Sequence, residues 1–160
     1  MTWTKMIPGE ETEFIEHTPI ASLMRSDFPR VHPETSISEI FRSFAQRGCA
    51  DVIVIDDDGK FLGIITRLDL LASITPEMGI RSRRKMGCVA CILMSAARHA
   101  REVMSRGHIT VPDTYTLADT LVFMEKARHP DVIVVNSDGI AVGHVEMCDI
   151  IAFLVEKKVL

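Results

Sequence analysis

The chain has 160 residues, 47% hydrophobic and 25% charged, with a formal net charge of −4. That length suits a domain able to bury its own core without a disulfide or metal staple. The acidic balance argues against binding a nucleic-acid backbone, and the longest apolar stretch, residues 87–97, falls short of the roughly twenty residues a membrane span needs.

Residues 1–18 are acidic and mixed, with Trp3, Ile7, Phe14 and Ile15 as isolated apolar anchors. They read as an arm that packs on its own chain or on a second copy. They lack a basic region followed by an apolar run, the mark of a signal peptide, so a cytoplasmic protein is expected. The cysteines Cys49, Cys88, Cys91 and Cys148 are then expected to be reduced. A short strand is predicted around Arg30 and Val31. A helix comes next, opened by Ser36 and Glu39 at capping-box spacing, with Ile37, Ile40, Phe41 and Phe44 as its apolar stripe. The β-branched run VIVI, residues 52–55, is too short for a helix and reads as a strand buried on both faces. In DDDG, residues 56–59, the glycine supplies the positive φ of a tight turn. FLGII, residues 61–65, completes a hairpin, and a short helix begins near Thr66.

Residues 73–99 connect this unit to a second one. Met86, Val89, Ala90, Leu93 and Ala97 fall on one helical face, which predicts a helix over about residues 86–104. The basic run RSRRK, residues 81–85, reads as solvated surface or as a reach toward a phosphate or an acidic partner. Cys88 and Cys91 have zinc or redox spacing, but the chain has no second ligand pair nearby. They are expected to pack beside a helix contact and hold no metal.

The elements then repeat. Met24 falls on Met104, Ile37 on Leu117, Phe44 on Met124, Asp51 on Asp131, Gly59 on Gly139, Gly63 on Gly143 and Asp69 on Asp149. A one-residue slip around the prolines Pro33 and Pro112 is made good after them. The second copy has a leading strand at residues 109–111 and a helix opened by Thr116 and Asp119, a weaker box. Its apolar stripe is Leu117, Leu121 and Met124, and the hairpin strands VIVV and AVGHV lead to a helix near Glu146. A three-stranded sheet with helices on one side cannot bury its other face alone. The expected fold is therefore of α/β (α+β) class, two β-α-β-β-α repeats packed sheet to sheet about a pseudo-twofold axis. The expected segments are 1–18 (arm), 19–72 (first repeat), 73–99 (connection with a helix) and 100–160 (second repeat and C-terminal helix).

The methionine lead with its P-x-T, the hairpins DVIVIDDDG and DVIVVNSDG, and the endings GIITRLDLL and GHVEMCDII resemble the cystathionine-β-synthase (CBS) domain family. The second ending keeps Gly143 and Asp149 but has Glu146 where the family has threonine. Ile53 and Ile133 stand where a proline is often seen. The resemblance implies a ligand-sensing module for adenosine-containing molecules, with two clefts between paired repeats and dimerisation through helices. It marks Thr66, Asp69, Glu146 and Asp149 as binding residues at the helix starts. On the strands and their edges it marks Arg30, Asp51, Ile109, His129 and Asp131, with His108 also near a cleft edge.

A helix start offers unpaired N–H groups to an anion. The Thr66 hydroxyl can donate to a phosphate or ribose oxygen, and the Asp69 carboxylate can accept from both ribose hydroxyls. Thr-x-x-Asp is equally a helix cap with a first-turn acid. In the second copy Glu146 is a poor cap, so capping is not expected to account for Asp149. Glu146 and Asp149 together present like charge to a phosphate, so that cleft is expected to suit a nucleoside, a sulfonium or a bridging metal ion, or to stay empty. A phosphorylated ligand is expected at Thr66 and Asp69.

No nucleophile–base pair appears, so an enzyme is not expected. The expected function is regulatory sensing of AMP, ADP or ATP, with no prosthetic group, as a homodimer that signals to an effector protein. The alternatives are a sensor of S-adenosylmethionine or another adenosine derivative, and a structural dimerisation module with vestigial clefts.

Overall fold

The structure is a computed structural model, and it describes residues 9–46, 51–74, 99–107 and 109–159. The chain begins with α1 (Glu10–His17) and a 3-10 turn (Ile20–Ser22), then β1 (Arg30–Val31), α2 (Ile37–Gln46), β2 (Val52–Ile55), β3 (Phe61–Ile65) and α3 (Arg67–Ile74). It resumes with α4 (Ala100–Val103), β4 (Thr110–Pro112), α5 (Leu117–Ala127), β5 (Asp131–Val135), β6 (Ala141–Glu146) and α6 (Met147–Glu156). Two three-stranded sheets result, in the orders β1-β2-β3 and β4-β5-β6. In each, the leading strand runs parallel to the middle one and the hairpin partner runs antiparallel. This is the mixed α/β fold expected from the sequence.

Local chemistry explains the boundaries. At the start of α2 the Ser36 N–H donates to Glu39 and the Glu39 N–H to the Ser36 hydroxyl, at 3.2 and 3.3 Å. At α5 the box of Thr116 and Asp119 closes equally, at 3.1 and 3.2 Å, so the second cap is no weaker than the first. The Ser36 hydroxyl and N–H hold the Glu39 carboxyl below its usual range. Its share of the cap is therefore complete above the ordinary glutamate value and is lost as pH falls through the lowered one. Gly59 and Gly139 close the hairpins at φ 82° and 78°. Asp56 and Asn136 brace those turns alike, each accepting two backbone N–H bonds on one side-chain oxygen.

The middle strands are buried on both faces. Val52, Val54 and Ile65 join Ile37, Ile40, Phe44 and Leu70 in one core, and Val132, Val134 and Val145 join Leu117, Met124, Ile150 and Leu154 in the other. Ile53, Ile64 and Ile133, on the opposite faces, are as fully buried. Each such side chain contributes about 1.5–3 kcal/mol relative to exposure. Thr120, which the apolar stripe did not mark, is also buried and returns its hydroxyl to the Thr116 carbonyl.

The compact units are not the two sequence repeats. One gathers the described residues up to Phe28 with those from Ile109 onward; the other holds those from Pro29 to Gly107. The repeats have exchanged their lead segments. Residues 18–25 run along the second sheet's unit, where Ile20 donates to Tyr115, Leu117 donates to Thr18, and Arg25 and His144 exchange two backbone hydrogen bonds. Residues 99–105 run along the first sheet's unit in the same way, with Ala100 donating to Thr35 and Ser105 and Ile64 exchanging two bonds. The arm goes with its lead: α1 packs on α5, and Phe14 stacks on Phe153 of α6 at 5.9 Å. The continuous helix expected over residues 86–104 is corrected at its end. His99 is extended and bridges Ser36, leaving a four-residue α4 whose cap, Met104, is again extended. Cys49, Cys88, Cys91, His108 and the run at 81–85 lie outside the described residues.

Candidate functional site

In the first sheet's unit, β3 ends at Ile65 and α3 begins at Arg67, with Thr66 between them at the helix start. The Thr66 N–H and hydroxyl both donate to Asp69 Oδ2, at 2.8 and 2.7 Å, and the Asp69 N–H returns to the hydroxyl at 3.3 Å. The second carboxylate oxygen, Oδ1, accepts from the Ser105 hydroxyl at 2.8 Å. Ser105 is held there by its backbone bridge to Ile64, at 2.8 and 3.0 Å. That bridge lies directly over Gly63, where an added Cβ would come within 2.8 Å of the Ser105 carbonyl oxygen.

The second sheet's unit repeats this construction with different side chains. Asp149 Oδ2 accepts from the Glu146 N–H at 2.9 Å, at the end of β6 and the start of α6. Arg25 occupies the place of Ser105. Its backbone bridges His144 at 2.8 and 2.9 Å, and Met24 lies over Gly143 as Met104 lies over Gly63. The Arg25 guanidinium reaches Glu146 Oε1 through Nη2 at 2.9 Å and Asp149 Oδ2 through Nε at 3.4 Å.

Two expectations are corrected here. Asp149 does serve as a cap partner, because a carboxylate three residues into a helix can take the N-cap N–H whatever side chain the N-cap residue carries. The pair of carboxylates is also not left as bare like charge, because Arg25 neutralises half of it. Neither Arg25 nor Ser105 stood among the candidate residues, although both directly succeed the aligned methionines Met24 and Met104.

The other candidates divide between the units. Arg30 opens β1 and pairs with Ile53, and Asp51 stands half-buried just before β2. In the second unit Asp131 is the cross-strand neighbour of Glu146. His129 Nδ1 lies 3.0 Å from the Asp131 carbonyl oxygen, which can only accept, so Nδ1 carries the proton and Nε2 faces elsewhere. Ile109 is 4% exposed and its carbonyl accepts from Ile133, making it an apolar wall. A groove of about 750 Å³ between α1 and α6 is lined by Glu13, Phe14, His17, Phe153 and Lys157 among others, and none of the candidate residues lines it. Among the described residues no helix is long and apolar enough to cross a membrane.

Two β-α-β-β-α repeats with exchanged leads, each placing an acid just inside the helix that succeeds its hairpin, define a tandem-repeat α/β protein. The family model for the CBS domain matches residues 20–75 and again 100–156, and the chain belongs to the CBS domain family. Solved structures share the fold. A CBS domain-containing protein of unknown function from Bacillus anthracis matches with a TM-score of 0.73 at 18% identity, over 91% of this chain and 99% of that one. CBSX2 in complex with AMP matches with a TM-score of 0.71 at 18% identity, over 88% and 98%. The CBS domain pair of protein MJ0100, in complex with 5′-methylthioadenosine and S-adenosyl-L-methionine, matches with a TM-score of 0.64 at 22% identity, over 88% and 98%.

Proposed function

We propose that this protein is a non-catalytic regulatory module that binds adenosine-containing ligands at the starts of α3 and α6 and passes their occupancy to an effector protein. The observation that carries this reading is the duplicated construction. Each repeat places an acid at a helix start, and each acid is held by a side chain from the other repeat's lead, Ser105 for Asp69 and Arg25 for Asp149. A cap alone needs no such partner. The solved relatives bound to AMP, methylthioadenosine and S-adenosylmethionine support the adenosine class. Asp69 and Asp149 would accept from ribose hydroxyls, and the helix N–H groups would favour a phosphate. Ile109 would give a base an apolar wall, His129 and Asp131 polar edges, and Arg30 and Asp51 the corresponding rim in the first unit. ADP and ATP belong to the same class, and a cytoplasmic setting would supply them.

Equilibrium titration with AMP, ADP, ATP and S-adenosylmethionine tests the reading. Saturable binding of at least one is expected, and no binding of any at millimolar concentration refutes it.

A homodimer is part of the same proposal. Leu68 on α3 is 75% exposed, and Ile151 and Val155, one turn apart on α6, are nearly half exposed. Apolar stripes of this kind on helices mark interfaces. Light scattering at micromolar concentration should give twice the chain mass of 17.9 kDa, and a monomer mass rejects the dimer.

A further inference from the structure

The two helix starts differ in charge. At α3 the side chain that meets Asp69 from the exchanged lead is the neutral Ser105, and no basic side chain pairs with Asp69 among the described residues. At α6 the corresponding side chain is Arg25, whose guanidinium turns Nη2 toward Glu146 and Nε toward Asp149. The guanidinium is planar and rigid, so Nη1 with its two N–H groups points away from both carboxylates. Nη1 makes no hydrogen bond among the described residues, and the side chain is 45% exposed.

We propose that Arg25 is the residue through which this protein recognises the phosphate of an adenosine ligand, and that this recognition belongs to the α6 helix start alone. The inference deepens the adenosine reading above and rests on it. Three features support it. Two carboxylates without Arg25 would repel a phosphate, whereas with it the cluster carries one net negative charge and offers a charge-assisted donor. The hold of both acids, with the Arg25 backbone pinned to His144, orders the guanidinium before any ligand arrives, so little rotamer entropy remains to be lost on binding. Asp149 Oδ2 takes the cap and Arg25, which leaves Oδ1 for a ribose hydroxyl. At the α3 start Asp69 is held by hydroxyls and a backbone N–H, and Arg67, the first residue of that helix, forms no ion pair with it among the described residues, so a phosphate there meets the helix N–H groups without a guanidinium ordered in advance.

The test titrates adenosine and AMP into the full chain, for the parent and for Arg25→Gln, and reads the backbone amide signals of Glu146 and Thr66 as separate reporters. In the parent, AMP is expected to bind more tightly than adenosine at Glu146, and by a smaller margin at Thr66. Arg25→Gln should weaken AMP at Glu146 by about tenfold, the share of a charged hydrogen bond that survives solvent screening at a half-exposed arginine. Adenosine should stay within about twofold, and Arg25→Lys should recover part of the AMP preference. Unchanged AMP affinity in Arg25→Gln overturns the proposal alone. So does an equal loss for both ligands, which marks Arg25 as structural, or a gain for AMP, which marks it as a plug. A parent that binds neither ligand overturns the adenosine reading and this inference with it.

Discussion

Asp69→Ala is expected to weaken adenosine ligands at the α3 helix start by about 10- to 150-fold, the worth of the charged hydrogen bonds that a carboxylate accepts from a ribose diol. The loss should be the same for phosphorylated and unphosphorylated ligands, because Asp69 meets the sugar. Asp69 also caps its helix through the Thr66 N–H, so the alanine variant should lose about 1 kcal/mol of stability as well. Asp69→Asn separates the two roles. It keeps an oxygen for the Thr66 N–H and removes the charge, so the melting temperature should hold while binding still falls. Calorimetry on both variants decides the matter. Parent-like affinity in both would reduce Asp69 to a cap.

The second large effect concerns Gly63. A methyl group there would lie 2.8 Å from the Ser105 carbonyl oxygen and 3.0 Å from Met104 Sδ. The nearest atom is backbone, so the bridge between Ile64 and Ser105 has to move. Overpacking of this kind costs about 1–3 kcal/mol, and in a chain of this size each kcal/mol lowers the melting temperature by about 2–4 °C. Gly63→Ala should therefore melt several degrees below the parent. It should also lose the Ser105–Asp69 hydrogen bond and with it part of the ligand affinity at α3. Gly143→Ala meets Met24 at its sulfur, its Cγ and, at 2.9 Å, its Cβ, and a Cβ fixed to the backbone cannot turn aside, so its effect should be at least as large. A melting temperature for Gly63→Ala within about 1 °C of the parent would show that the lead segment yields freely.

Much of this was legible in the sequence because local rules agreed with one another. The run of isoleucines and valines at 52–55, the Asp56 and Asn136 turns, and the cap spacing at Ser36 and Thr116 each specify a local geometry without help from distant residues. The partners of the helix-start acids do not come from such rules. Aligning Met24 with Met104 shows that the two leads are equivalent, but an equivalence is satisfied whether each lead lies on its own sheet or on the other's. Arg25 finds Glu146 across 121 positions of sequence, and no periodicity spans that gap. Gly63 and Gly143 carried the same ambiguity. The alignment matched them to each other, but only the structure shows that each clears a path for a segment from the other repeat. The Asp149 cap was missed for a different reason: the N-cap side chain was weighed, while the bond is made by the N-cap backbone.

The exchanged leads have a consequence for how such a chain could have arisen and how it holds together. A single repeat carries a lead that fits another repeat's sheet, so it is an unfinished object whose missing piece is a second copy of itself. Two free copies would have to meet by diffusion, and their pairing would fail on dilution. Joining them in one chain turns that encounter into an intramolecular one. Completion of each half then no longer depends on how much protein is present. Once joined, the two copies are also released from identity, and one lead can carry a serine where the other carries an arginine.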